Sequence, residues 1–80
     1  MLVPLYGFLQ GDTVGLLVLV QDTDSVSEVA LVLQQAASVR VKPGKRGRVL
    51  HLGIELDATM TVAQAGLTAL ERVDVILEET

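Results

Sequence analysis

Apolar positions recur at helical spacing in one stretch of the chain, residues 25–37. Ser25 can accept a hydrogen bond from the first turn, and Glu28 stands three residues later, which is the spacing of a capping box. The pattern therefore predicts one helix here. A helix with a single narrow apolar stripe is not stable alone in water, so we expect a small sheet to pack against it. The stripe consists of Val26, Val29, Ala30, Leu33 and Ala37.

The rest of the chain has the pattern of short strands joined by turns. Two apolar runs, residues 3–10 and 13–20, flank Gly11-Asp12, which is typical of a hairpin turn. The second run is apolar at nearly every position, so its pattern does not show which side faces the core. Further strands are predicted at residues 48–52, 54–56 and 72–78, and one helical turn is predicted at residues 61–67.

The order of these elements predicts the fold class. A helix that connects the second strand to the third is the crossover that a mixed sheet needs. In the last strand, Val73, Val75 and Leu77 are expected to face the helix because side chains alternate between the two faces of a strand. The order is that of the ubiquitin-like β-grasp, an α+β fold with a four- to five-stranded mixed sheet wrapped around one helix. We expect residues 1–80 to form a single domain.

Composition excludes several functional classes. Half of the residues are hydrophobic, and there is no cysteine, so a disulfide, a thiolate site or a cysteine redox role is excluded. The longest apolar run, residues 14–20, is too short to cross a bilayer. The first residues lack the basic and small-residue pattern of a signal peptide. We therefore expect a cytoplasmic protein that contacts no membrane.

The basic residues are concentrated in one window. The net charge is −4, yet five of the six lysines and arginines lie within nine positions. Such a window can dock on an acidic protein surface, bind a phosphate backbone, or simply be a solvated loop. Nucleic-acid binding is disfavoured, because stacking aromatics and an overall basic charge are both lacking. The window contains Arg40, Lys42, Lys45, Arg46 and Arg48.

The residue pattern does not predict catalysis or metal binding. His51 is the only histidine, and the Glu-x-x-His pattern of a diiron site is missing. We interpret His51 as a structural residue of the third strand. The neighbouring carboxylates Asp22 and Asp24 belong to a helix start rather than to a cleft where two carboxyls could act as acid and base. We therefore expect no catalytic residue, no metal and no cofactor.

Apolar residues at outward positions indicate a second candidate site. Leu31 lies about 140° from Val26 around the helix axis. Leu50, Leu52 and Ile76 point away from the helix if their strand neighbours point towards it. Several apolar residues on one sheet face are typical of a partner site, and they could let the isolated chain self-associate. The predicted partner-binding residues are Leu31, Arg40, Lys42, Lys45, Arg46, Arg48, Leu50, Leu52 and Ile76.

Two stretches carry a resemblance to a known family: Met-Thr-Val-Ala-Gln-Ala-Gly-Leu at residues 60–67, and Val-Asp-Val-Ile-Leu-Glu-Glu at residues 73–79. The strand with Pro4, the helix start at Asp24-Ser25 and the basic loop at residues 40–43 extend it along the chain. In these features the sequence is similar to the toluene-4-monooxygenase system protein B family. Its members are the small γ subunits of bacterial multicomponent toluene monooxygenase hydroxylases.

The resemblance implies a non-catalytic accessory subunit that docks on the larger diiron hydroxylase subunit, which holds the metal and the catalytic residues. The partner would then be a protein of aromatic hydrocarbon catabolism. The residue pattern leaves one alternative open: a free-standing ubiquitin-like protein-interaction module, for example one associated with a bacterial secretion system.

Overall fold

The computed structural model describes residues 1–43 and 46–78. Within these residues, five strands and one helix make up the fold. The strands form one mixed sheet in the order β2-β1-β5-β3-β4. β1 and β5 run parallel at its centre, and the other neighbouring pairs are antiparallel. The predicted β-grasp α+β fold is thus confirmed. The elements are β1 (Leu2–Leu9), β2 (Gly15–Gln21), α1 (Val26–Ala36), β3 (Gly47–His51), β4 (Ile54–Glu55) and β5 (Arg72–Leu77).

Helix α1 begins and packs as its sequence predicts. The Ser25 hydroxyl accepts a hydrogen bond from the backbone N–H of Glu28 at 3.2 Å, which satisfies one of the open donors of the first turn. All five residues of the predicted stripe are buried. Within residues 1–43 and 46–78, no helix has both the length and the hydropathy to cross a membrane.

The helix packs closely against the middle of β1. Leu33 is fully buried there. A Cβ atom at Gly7 would lie 2.7 Å from Leu33 Cδ1, so any larger residue here would require the Leu33 side chain to move. Around this contact the inward residues of the sheet complete one apolar core, namely Val3, Leu5, Leu9, Val18, Val20, Val49, Val73 and Val75.

The predicted helical turn at residues 61–67 is a single turn that ends at Gly66. Its capping box is complete, because Gln64 N donates to Thr61 Oγ1 at 3.1 Å and Thr61 N donates to Gln64 Oε1 at 3.0 Å. Gly66 has a φ of 77°, the left-handed conformation that stops a helix. Val62 and Leu67 are buried as expected, so this segment closes one end of the core.

Leu52 corrects the predicted third strand. β3 ends at His51, which pairs with Ile54 across a two-residue turn. Leu52 and Gly53 form that turn with φ angles of 54° and 78°, and positive values at both positions are what a tight hairpin requires. Leu52 therefore lies at an exposed hairpin tip, not on the outer face of the sheet. An apolar residue after His51 is typical of a continuing strand, but the two-residue turn places Leu52 outside the sheet.

The contact between Leu33 and the sheet predicts a large stability difference within one helix. We expect Leu33→Ala to lower the free energy of unfolding by about 2–5 kcal/mol, because it leaves a cavity in a fully buried site. Leu31→Ala is the matched control on the exposed side of α1, with an expected change within about 0.5 kcal/mol. Urea unfolding followed by far-UV circular dichroism measures both. Equal losses would contradict the assigned packing.

Candidate protein-interaction surface

The predicted partner-binding residues lie on separate surfaces of the molecule. Arg48, Leu50 and Ile76 share the outer face of the sheet, where Arg48 pairs with Ile76 across β3 and β5. Leu50 and Ile76 are half-buried rather than fully exposed. Lys45 lies outside the described residues. The described members of the predicted set are therefore spread over more than one surface.

Arg40 belongs to the structure of the β1–β2 hairpin. Its Nε donates to Asp12 Oδ1 at 2.8 Å and its Nη2 donates to Asp12 Oδ2 at 3.1 Å. Only 1% of the Asp12 side chain is exposed. The same carboxylate accepts the backbone N–H of Thr13 at 2.8 Å. This two-point pair ties the loop after α1 to the hairpin turn, so Arg40 is engaged inside the chain.

Arg48 is also engaged. Its guanidinium hydrogen-bonds the Glu55 carboxylate across β3 and β4, and both side chains are about half exposed. Such a pair contributes little to stability in water, but it neutralises the charge at this edge. All four described members of the basic window are exposed, but among the described residues only Lys42 and Arg46 have no side-chain ion pair. A docking role for the window thus depends mainly on these two.

Both ion pairs lower the pKa of the carboxyl group that takes part in them. The hydrogen bond from Arg40 holds the pKa of Asp12 below its ordinary value, and the hydrogen bond from Arg48 does the same to the pKa of Glu55. In return the pKa of each arginine is raised. A donor near a carboxylate favours its charged form, so both pairs are ionised at neutral pH.

Leu31 and Arg46 come together in a groove between α1 and the start of β3. The groove has a volume of about 210 Å³. Small residues make up most of its lining, and the exposed apolar side chain of Leu31 also lines it. The remaining lining residues are Ser27, Ala30, Gln34, Gly47 and Ala58. Two residues that are 15 positions apart in the sequence are therefore neighbours here.

An exposed apolar surface that the sequence analysis missed lies on the outer face of β1 and β2. We call it the β1–β2 patch; its members are Leu2, Tyr6, Leu17 and Leu19, with 52%, 45%, 54% and 55% of their surfaces exposed. The register places them on one face, because Tyr6 pairs with Leu17 and Pro4 pairs with Leu19. β2 is apolar on both faces, so its sequence alone could not separate the inward residues from the outward ones. The signal in the sequence was that both strands of the hairpin carry apolar residues at inward and outward positions alike.

Phe8 marks the border between the β1–β2 patch and the charged half of the outer face. The Arg72 guanidinium lies 4.0 Å from the centroid of the Phe8 ring, a cation–π contact. A Cβ atom at Gly15 would lie 2.6 Å from Phe8 Cζ, so the far end of the ring occupies the space that a side chain at this position would need. Arg72 also pairs with Asp74 at 3.0 Å. Beyond Phe8 the outer face therefore carries ion pairs beside the half-buried Leu50 and Ile76.

His51 lies beside a carboxylate at the end of β3. Its Nε2 is 3.5 Å from Glu71 Oε1, and the other oxygen of Glu71 accepts the backbone N–H of Thr68 at 2.8 Å. This backbone hydrogen bond lowers the pKa of Glu71. In the described part of the chain, no three histidine, cysteine or acidic side chains are grouped so that they could hold a metal ion.

The sheet order and the single crossing helix define the class: this is a ubiquitin-like β-grasp protein. The Caldiarchaeum subterraneum ubiquitin structure has a TM-score of 0.75 at 16% identity and covers 100% of this chain and 98% of its own. A ubiquitin-like domain from Arabidopsis thaliana has a TM-score of 0.71 at 22% identity, covering 99% of this chain and 80% of its own. At these identities the likeness shows the fold alone.

The chain belongs to the family described as Toluene-4-monooxygenase system protein B, whose model matches residues 2–77. A chain from a toluene 4-monooxygenase complex, solved with the inhibitor 4-bromobenzoate, has a TM-score of 0.89 at 28% identity. The match covers 98% of this chain and 100% of that chain. A search of curated protein sequences gave no match. The family resemblance found in the sequence is thus confirmed.

The Asp12–Arg40 pair predicts a specific acid sensitivity. Because the folded pKa of Asp12 is lowered, the charged carboxylate stabilises the fold above the unfolded value of about 3.9, and this contribution is lost as the pH falls through the folded value. We expect Asp12→Asn to be less stable than the wild type at pH 7, with a difference that shrinks as the pH falls below about 4.

Urea unfolding of both proteins between about pH 2.5 and pH 7 measures this difference. Asp74→Asn is the control, because Asp74 pairs with Arg72 on an exposed part of the sheet, and its effect should be smaller. A difference between Asp12→Asn and wild type that stays constant over the whole range would show that the ion pair is not responsible.

Proposed function

We propose that the chain is the non-catalytic accessory (γ) subunit of a bacterial multicomponent diiron aromatic monooxygenase, and that it docks on the large hydroxylase subunit in the cytoplasm. The observation that carries the proposal is the match to a chain of a toluene 4-monooxygenase complex over the full length of that chain. Family membership over residues 2–77 supports the same assignment. In this proposal residues 1–80 act as one domain.

The outer face of the sheet is the proposed docking surface. Its β1–β2 patch combines four exposed apolar side chains on two neighbouring strands, a contiguous arrangement that is typical of protein interfaces. Leu50 and Ile76 extend the face across β3 and β5. Tyr6 is the best candidate for an anchor, because tyrosines are enriched among the residues that dominate binding energy. The proposed docking face is thus centred on β1 and β2, whereas the sequence pattern had placed its apolar sheet residues on β3 and β5.

The basic window has a secondary role in this proposal. Lys42 and Arg46 are exposed and can attract an acidic partner surface, which affects the rate of association more than its final strength. Arg40 and Arg48 act indirectly, because their ion pairs hold the neighbouring loop and hairpin in place.

The proposed contribution to substrate oxidation is mechanical. A rigid β-grasp domain that covers an apolar surface of the large subunit stabilises that subunit by mass action. The chemistry then takes place entirely within the larger protein. Removing the small subunit should lower the amount of folded hydroxylase rather than alter the reaction that each folded molecule performs.

Co-purification from the native host tests the assignment. An affinity-tagged copy of this chain should retain a much larger diiron protein, identified by mass spectrometry and iron analysis. A cell that encodes no diiron hydroxylase and yields only the free chain would overturn the proposal. That result would favour the alternative of a free-standing ubiquitin-like interaction module.

A single outward substitution tests the docking face. We expect Tyr6→Asp to weaken binding to the purified hydroxylase at least about tenfold, because it places a charge within the apolar β1–β2 patch. Leu31→Asp is the matched control on α1, where 51% of the residue is exposed. Surface plasmon resonance measures both affinities, and circular dichroism checks that both variants fold. If the control loses more affinity than Tyr6→Asp, the docking face lies at the helix groove instead.

A further inference from the structure

The two edges of the sheet are very different. At one edge, β4 has only two residues, and Glu55 on it is paired with Arg48. Short length and charge are the usual means by which proteins block unwanted pairing at an edge. At the other edge, β2 runs for seven residues, Gly15–Gln21, without a charged residue or a proline. The β2 edge therefore lacks these common safeguards.

The hydrogen-bond register shows which backbone groups are open. Asp22 N donates to Met1 O at 2.9 Å, so the hydrogen-bonded pairs between β1 and β2 fall on the even residues of β2. Leu17 and Leu19 alternate with them, and their N–H and C=O groups point away from the sheet. Gln21 has the same orientation, but its N–H donates to Asp24 Oδ2 at 2.8 Å. The open segment is therefore centred on Leu17 and Leu19.

We propose that the β2 edge pairs with the β2 edge of a second copy of this chain, antiparallel about a two-fold axis at Val18. This axis sets Leu17 of each copy opposite Leu19 of the other. Both residues present outward groups, so each such pair can exchange two hydrogen bonds. The four leucine side chains meet on the outer face, where 54% and 55% of their surfaces are exposed in the single chain. The edge is self-complementary.

Charge complementarity supports a second copy as the occupant. At the start of β2 the charge of Arg40 is balanced by Asp12, so the exposed Lys42 leaves this end with a net positive charge. At the end of β2 the N-terminal ammonium of Met1 pairs with Asp22 at 2.9 Å, so Asp24 leaves that end with a net negative charge. Antiparallel pairing brings the basic end of each copy towards the acidic end of the other, at both ends of the interface. Parallel pairing would instead place the two acidic ends side by side.

The proposed pairing is weak and reversible. One seven-residue edge is smaller than a standard interface, which buries about 1,600 Å² in total. It uses Leu17 and Leu19, which also belong to the β1–β2 patch, so a second copy and a larger partner would compete for the same side chains. The inference does not depend on the proposed function, because it concerns the isolated chain.

Sedimentation equilibrium of the full chain tests the pairing. Between about 10 µM and 1 mM we expect a monomer–dimer equilibrium, as in other weak complexes. Leu19→Lys should weaken dimerisation at least about tenfold, because a lysine at an edge opposes strand pairing. Leu31→Lys, a leucine of similar exposure on α1, should leave it unchanged. A chain that stays monomeric at 1 mM, or a dimer that only Leu31→Lys disrupts, would overturn the proposal.

Amide hydrogen exchange provides a second measurement that needs no variant. In the wild type, the amides of Leu16 and Val18 should be protected at all concentrations, because they lie in the bonded pairs with β1. The amides of Leu17 and Leu19 should become protected only as the concentration rises. If the protein dimerises while these two amides exchange at an unchanged rate, the copies pair through another surface and the proposal is wrong.

Discussion

The packing of one helix against one side of a single-layered sheet determines the rest of this structure. Leu33 packs against the sheet at Gly7, where a larger residue would displace the Leu33 side chain. α1 therefore covers the inner face of the sheet and leaves the outer face to solvent. A sheet in this situation normally carries polar residues outside. Here β1 and β2 are apolar on both faces, so the chain has more apolar surface than its own helix can bury.

The charged residues are arranged around this constraint. Asp12 and Arg40 lie 28 positions apart and close the end of the hairpin beside the core. Arg48 and Glu55 cover the short edge at β4. Arg72 stacks on Phe8 and separates the ionic part of the outer face from the apolar part. Much of the basic window thus supports the fold, and the outer face of β1 and β2 is the surface that carries no charged residue.

Features that depend on neighbouring residues could be predicted from the sequence. Ser25 at the helix start, the apolar stripe of α1 and the Gly66 stop each depend on contacts within a few positions, and each is confirmed. Partners that are distant in the sequence could not be predicted. The position of Arg40 in a basic loop did not indicate that it pairs with Asp12. Leu52 is apolar like a strand residue, although it occupies a turn. The outward leucines of β2 were hidden because alternation disappears when both faces are apolar.

The fold and the surface of this chain differ in how much they indicate about a binding partner. The β-grasp is shared with ubiquitin-like proteins at 16–22% identity, so the fold alone says nothing about a partner. The hairpin is more specific, because its outer leucines and its open backbone groups lie on the same strand. Single leucines on a surface are ordinary in folded proteins. An uncharged edge strand is different, because its open backbone groups can pair with another chain. A sequence that retains both features on β2 is best explained if that strand is covered when the protein performs its function.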